Sequence, residues 1–247
     1  MPSDTGSFVI LDSVDSTNNY AMGIVHSGMA AHGNAYFALE QTEGRGRRGK
    51  AWRSTKGENI MVSIVADTGF LMVQHQFNLI AAVSLGCMDF LKQYVKENIK
   101  IKWPNDLFYN DTKAGGILIE NVIKGKVWQW AVIGIGINVN QTEFSPDIAY
   151  HSISLKQING KDYDVIDLGK NLRDCVLKRI EALKQTNFEI ILNQYNACLY
   201  LLNEKVKLKK KNIVFETTIK GVSSQGQLLT KDFMEKSFDF DEVEWVL

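Results

Sequence analysis

Residues 41–52 read QTEGRGRRGKAW, with Gly44, Gly46 and Gly49 set among Arg45, Arg47, Arg48 and Lys50. Glycine lets a backbone approach a ligand and turn its N–H groups inward, while planar arginine forks match carboxylate and phosphate oxygens. The chemistry suggested is the holding of anions. Taken alone, a flexible basic surface loop is the plainer reading. The segment matches neither the phosphate-binding P-loop, which needs a lysine followed by serine or threonine, nor the dinucleotide fingerprint, which opens a helix.

A second stretch, KWPNDLFYNDTKAGGILIE at 102–120, ends a strand at Pro104 and carries Asn105 and Asp106 in a polar turn. Lys113 then precedes Gly115 and Gly116. A lysine between a polar turn and paired glycines can reach back into a pocket; a capped hairpin with a surface lysine fits the same letters. A third stretch, GIGINVN at 134–140, ends an apolar run on Asn138, a position often used only as turn punctuation.

These segments need elements to position them. FVILDSV reads as a strand, followed by a helix over DSTNNYAMGIVHSG. Asp15, Ser16 and Thr17 are all capable of N-capping it, and Gly28 suits its stop. NAYFALEQ and NIMVSIVA read as strands flanking the basic glycine segment, which therefore lies in a strand-to-strand loop. Apolar residues from Phe77 to Val95 recur at helical spacing and predict an amphipathic helix. IKIKW is a short strand, and GILIENVI and VWQWAVIGIGINV pair across the KGK turn. Helices are predicted over 164–185 and 188–202. The fold class is α/β (α+β), a mixed sheet with helices. From about residue 203 polar and apolar residues alternate without a helical period, so residues 202–247 are expected to form a small β module after a larger α/β domain at 1–201. Lysines 205, 207, 209, 210 and 211 suit a solvated edge strand better than a nucleic-acid patch.

Composition excludes several classes. With 28 basic and 28 acidic residues in 247, the chain lacks the excess charge of a dedicated nucleic-acid binder. Cys87, Cys175 and Cys198 show no metal-ligand or redox spacing and read as reduced thiols. No signal-peptide pattern opens the sequence and no apolar run is long enough for a membrane span, so no membrane association and a cytoplasmic location are expected.

DSTN at 15–18, GRGRRGKAW at 44–52, KWPNDL at 102–107, KAGGILIE at 113–120 and GIGINVN at 134–140, in that order, resemble the biotin–protein ligases. The resemblance is specific from about residue 10 to 140 and weaker through SISLKQING and the terminal segment. It implies a catalytic core related to class II aminoacyl-tRNA synthetases, with a C-terminal SH3-like β-barrel. It also implies a two-step reaction: biotin and ATP give biotinyl-5′-AMP and pyrophosphate, and the biotinyl group then passes to a lysine of a biotin carboxyl carrier protein.

That chemistry gives the basic loop a purpose. The first step brings a carboxylate against a phosphate, and two like charges at about 4 Å repel by roughly 4 kcal/mol at an effective dielectric near 20. Cations on a loop cancel this, and an ordered loop keeps water from the anhydride product. The resemblance assigns biotin contacts to Ser16, Thr17, Gln41, Gly44, Arg45, Arg47, Lys113 and Gly116. It assigns the nucleotide to Arg45, Arg47, Arg48, Trp52, Asn105, Asp106, Lys113 and Asn138. Lys113, Asp106 and Arg47 are the expected catalytic residues; Trp52 is either an adenine contact or a core anchor. Mg²⁺ is expected to accompany ATP, held by phosphate and water, with no protein metal ligand assigned.

The sequence departs from the family in one respect. Some bacterial members carry a tryptophan that covers adenine just before SISLKQ, where His151 and Ser152 stand here. The matching pattern begins within about fifteen residues of Met1, so a type without a DNA-binding helix-turn-helix is expected. A lipoate-protein ligase is the enzymatic rival, and a biotin-sensing DNA-binding repressor the rival from another class. Oligomeric state, a homodimer included, is left open.

Overall fold

The computed structural model describes residues 6–146 and 148–246. Residues 1–5 and Asp147 of the expected 1–201 span and Leu247 of the 202–247 span lie outside the described residues.

In chain order the elements are β1 (Phe8–Leu11), α1 (Thr17–His26), β2 (Ala35–Ala38), β3 (Asn59–Asp67) and α2 (Gln76–Leu91). Then come β4 (Ile99–Lys102), β5 (Asp106–Tyr109), β6 (Thr112–Lys124) and β7 (Val127–Asn138). The short α3 (Leu155–Asn159) precedes α4 (Val165–Gln185) and α5 (Phe188–Ala197). The chain closes with β8 (Lys205–Lys210), β9 (Ile213–Val222), β10 (Leu228–Lys231), β11 (Glu235–Phe238) and β12 (Glu244–Val246). Seven strands form one sheet in the order β1-β2-β3-β7-β6-β5-β4, and five form a second in the order β11-β10-β9-β8-β12. Among the described residues the strands pair antiparallel except β1 with β2, which α1 connects as a crossover between parallel neighbours. The mixed α/β architecture agrees with the sequence reading, and so does the pairing of β6 and β7 across Gly125.

Three elements differ from expectation. The stretch 77–95 is not amphipathic. Between the apolar stripe positions lie Ala82, Ser84, Gly86 and Cys87, small enough for α4 to pack against them, so α2 is buried nearly all round. Each large apolar side chain buried this way contributes about 1.5–3 kcal/mol. The helix expected over 188–202 stops at Ala197, and the chain turns through Leu201 and Asn203, both in the left-handed region. Asp106 is not in a turn but opens β5. The sequence reading also passed over α3, although its capping box is complete: Ser154 and Gln157 each bond the other's backbone N–H.

The core does not stop at the second sheet. Val206, Leu208, Ile219, Val222 and Leu228 belong to the same apolar cluster as Phe77, Trp103 and Tyr195. Indole Nε1 of buried Trp103 donates to Gly226 O at 2.9 Å, and Trp245 Nε1 donates to Trp103 O at 3.1 Å.

Candidate active site

A cleft opens where the first turn of α1 and the 44–52 loop meet β3, β6 and β7. Its side chains fall into a neutral hydrogen-bonding group and a cationic group.

The neutral group centres on α1. Ser16 is the N-cap of this helix but makes no side-chain cap bond, and it lines the cleft. Thr17 N–H donates to Gln41 Oε1 at 2.8 Å. The Ser63 hydroxyl lies 2.8 Å from Thr17 Oγ1 and donates to Asn18 Oδ1 at 2.6 Å. Asn18 Nδ2 in turn donates to Glu120 Oε2 at 2.7 Å, and the other oxygen of Glu120 faces Arg45 Nη1 at 3.3 Å. Ser16, Thr17, Asn18 and Ser63 are all buried, so their polar atoms are held in fixed places, as a buried network requires.

The cationic group joins the loop to the start of β6. Lys113 Nζ is 2.6 Å from Asp106 Oδ1 and 5.8 Å from the centre of the Trp52 ring. Residues three apart in a regular strand face opposite sides, yet Lys113 and Gly116 both line this cleft. The cause is a bulge: Leu107 pairs with Gly115 and Phe108 with Lys113, leaving Ala114 as the extra residue that re-aims the lysine. Asn105 is fixed by donating to Ile117 O at 2.7 Å, and its Oδ1 receives Arg47 Nη1 at 3.4 Å. The loop is itself a small hairpin, with Arg45 bridged to Ala51 and Trp52 N–H donating to Gly44 O. Close by, Lys102 is buried against Phe108 and Trp245, its nitrogen 4.5 Å and 5.5 Å from the ring centres. Burial pushes its amine down to about 8, with the negative charge of Asp106 opposing.

Two glycines of β7 make the fit. A Cβ on Gly134 would lie 2.3 Å from Asn18 Oδ1, and one on Gly136 would lie 2.5 Å from the Trp52 ring. Neither neighbour could reach its place beside a larger residue.

Of the residues expected at the site, Ser16, Thr17, Gln41, Arg45, Arg47, Trp52, Asn105, Lys113 and Gly116 line the cleft. Asp106 reaches it through its ion pair with Lys113. Gly44 does not line it, because it is pressed against the backbone of Trp52. Asn138 is buried behind it, donating to Lys113 O and Ile153 O, and so staples the Lys113 strand. Arg48 points out of it toward Asp241 and Glu244. Trp52 packs on the sheet with its indole N–H unpaired among the described residues. Asn18, Ser63 and Glu120 were not singled out from the sequence, although Asn18 and Glu120 close two of the quoted motifs; the alternating glycines of GIGIN were the available signal.

No group of three or more histidine, cysteine or carboxylate side chains suited to a metal occurs among the described residues. Asp106 with the amide of Asn105 fits a cation carried in by phosphate rather than one caged by protein.

A seven-stranded mixed sheet whose cleft joins a neutral polar network to a lysine and arginines defines a site for a molecule with an anionic end. Residues 10–138 match the Biotin/lipoate A/B protein ligase family, and the chain belongs to it. The bifunctional ligase/repressor BirA of Escherichia coli is 28% identical over 232 residues, which cover 92% of this chain and 70% of that one. The biotin–[acetyl-CoA-carboxylase] ligase of Paracoccus denitrificans is 34% identical over 131 residues, 53% of either chain. The biotin protein ligase of Aquifex aeolicus, solved in complex with biotin and ATP, superposes with a TM-score of 0.82 at 25% identity, over 96% of this chain and 97% of that one.

Proposed function

We propose that the protein joins biotin to ATP as biotinyl-5′-AMP and passes the biotinyl group to a lysine of a biotin carboxyl carrier protein. The observation that carries this reading is the division of one cleft into a buried neutral network and a cationic group, with Met61, Ile117 and Ile135 among its lining. Biotin has the matching order of parts: a ureido ring, an apolar ring and chain, and a carboxylate. Ser16, Thr17, Asn18 and Gln41 would meet the ureido group. Lipoate offers a dithiolane there, which would leave buried donors and acceptors unpaired at about 1–3 kcal/mol each.

In the first step a carboxylate oxygen attacks the α-phosphorus and pyrophosphate leaves. Lys113 and Arg47 would neutralise the oxygens that come together, with Asn105 holding Arg47 and Asp106 holding Lys113 until the anions arrive. A divalent cation accompanying ATP would supply further charge neutralisation on the phosphates. In the second step the carrier amine attacks the carbonyl and AMP leaves. Asp106, released from Lys113, would orient that amine and accept its proton. The reading further divides the chain into a catalytic domain at 1–201 and an SH3-like β domain at 202–247. It places the protein in the cytoplasm, and among the described residues no helix is long and apolar enough to cross a membrane.

The test is incubation of the protein with ATP, Mg²⁺, apo carrier domain and an equimolar mixture of labelled biotin and labelled lipoate. Biotin on the carrier lysine is the expected product. Lipoylation, or no acyl-adenylate with either acid, would refute the reading.

A further inference from the structure

Two adjacent arginines of the basic loop have different fates. Arg47 lines the cleft, while Arg48 turns away and spends every guanidinium nitrogen on the turn before β12 and on β12 itself. Its Nε donates to Asp241 Oδ1 at 2.8 Å, its Nη2 to the Asp241 carbonyl, and its Nη1 to Glu244 Oε1 at 3.1 Å. The same oxygen of Asp241 also receives Arg47 Nη2 at 2.8 Å, and the Arg47 guanidinium lies 5.3 Å from the Phe240 ring. Both partners are held in an unusual backbone state: Arg48 has φ 56° and Asp241 has φ 68°. That region is uncommon for residues other than glycine. A lone exposed ion pair contributes little. Here one carboxylate and its own carbonyl gather two forks at once, a geometry with far more constraint.

We propose that Asp241 is a positioning residue for the loop. It fixes Arg48 as the permanent anchor and holds the Arg47 fork as a stand-in for a substrate oxygen. When a carboxylate and a phosphate chain enter together, their larger negative charge draws Arg47 off Asp241. Arg48 stays, so the loop remains attached while its working arginine changes partner. This assignment rests on the proposed adenylation, but the anchoring half of it concerns the ligand-free protein alone.

Asp241→Gly tests it without a folding penalty, because glycine adopts the left-handed state freely; Asp241→Asn removes the charge at constant shape. Hydrogen exchange of amides 44–52 in the ligand-free protein should speed up at least tenfold in both variants and in Arg48→Ala. The double variant Arg48→Ala/Asp241→Asn should exchange no faster than either single one, and protection in β8 and β9 should be unchanged. With biotin and ATP present, biotinyl-AMP should dissociate at least tenfold faster from the Asp241 variants. Loop exchange at the wild-type rate in both Asp241 variants overturns the anchor, and so does a double variant whose effect is the sum of the singles. If wild-type protein makes no biotinyl-AMP, the functional reading fails while the exchange experiment still decides the anchor.

Discussion

Replacing Gly134 by alanine adds one methyl group to the middle of β7, and the outcome follows from where that methyl would point. The new Cβ would stand 2.3 Å from Asn18 Oδ1 and 2.9 Å from its Cγ, so the amide must move. It is not free to do so. Asn18 accepts from Ser63 at 2.6 Å and donates to Glu120 at 2.7 Å, and its side chain is buried. Losing the bond to a carboxylate costs about 1.5–3 kcal/mol and the neutral bond about 1 kcal/mol. The gain in backbone entropy from glycine to alanine offsets roughly 0.5–1 kcal/mol of this. The net loss is then roughly 1.5–3.5 kcal/mol, or a fall in Tm of roughly 3–14 °C for a chain of this size. Biotin affinity should weaken at least tenfold, about 1.4 kcal/mol, because the displaced amide and the first turn of α1 form part of the cleft. Melting curves and titration calorimetry measure the two effects separately. Adding Gly134→Ala to Asn18→Ala should cost almost nothing further, since the clashing amide is gone. A Gly134→Ala protein with wild-type Tm and wild-type biotin affinity, or full additivity in the double variant, would show that Asn18 is not pinned as described.

Lys113→Ala should lower kcat for pyrophosphate exchange by at least a hundredfold with a smaller change in biotin Kd, because in the proposed reaction its charge would act where the anions meet; exchange at near wild-type rate rules that role out. Asp106→Ala should slow transfer from supplied biotinyl-AMP to the carrier more than it slows pyrophosphate exchange, and equal slowing of both would return Asp106 to holding Lys113 alone. Lys102 gives a stability prediction. Its amine titrates near 8 in the fold against about 10.4 in the unfolded chain, so between those values only the unfolded chain keeps the proton and stability rises with pH. Lys102→Met should therefore raise Tm at pH 7 and lose most of that advantage by pH 10; an equal gain at both pH values contradicts the burial account.

The site was partly legible because some residue types have no structural reason to cluster. Four cations among three glycines, and a lysine ahead of paired glycines, are poor choices for a plain hairpin. What the sequence left open was which side chain turns which way. Arg47 and Arg48 are identical letters, and only a left-handed backbone at Arg48 and a glutamate 196 residues away separate them. Asn18 and Glu120 are 102 residues apart, so their bond arises from the stacking of α1 on the sheet and leaves no local trace. The amphipathic reading of α2 failed for a similar reason: small residues between the stripe positions look neutral in sequence but are what lets α4 come close. The end of α5 was lost because the helix stops at Ala197 with Cys198 as its cap, where neither glycine nor proline marks a stop.

The continuous core has a consequence for how the molecule can come apart. A Cβ on Gly226 would strike the Phe77 ring at 2.8 Å, so the turn ahead of β10 is seated directly on α2. Phe77 also stacks edge-on with Tyr195 and lies 6.4 Å from Phe240, binding the helices and the last strands into one aromatic knot. A chain cut after residue 201 would uncover Phe77, Trp103 and Tyr195 together, and neither fragment could rebury them. Melting should accordingly be a single cooperative event, with calorimetric and van't Hoff enthalpies equal. In that respect the last 46 residues are less an appended module than the closing stones of an arch, which stands only when every stone is in place.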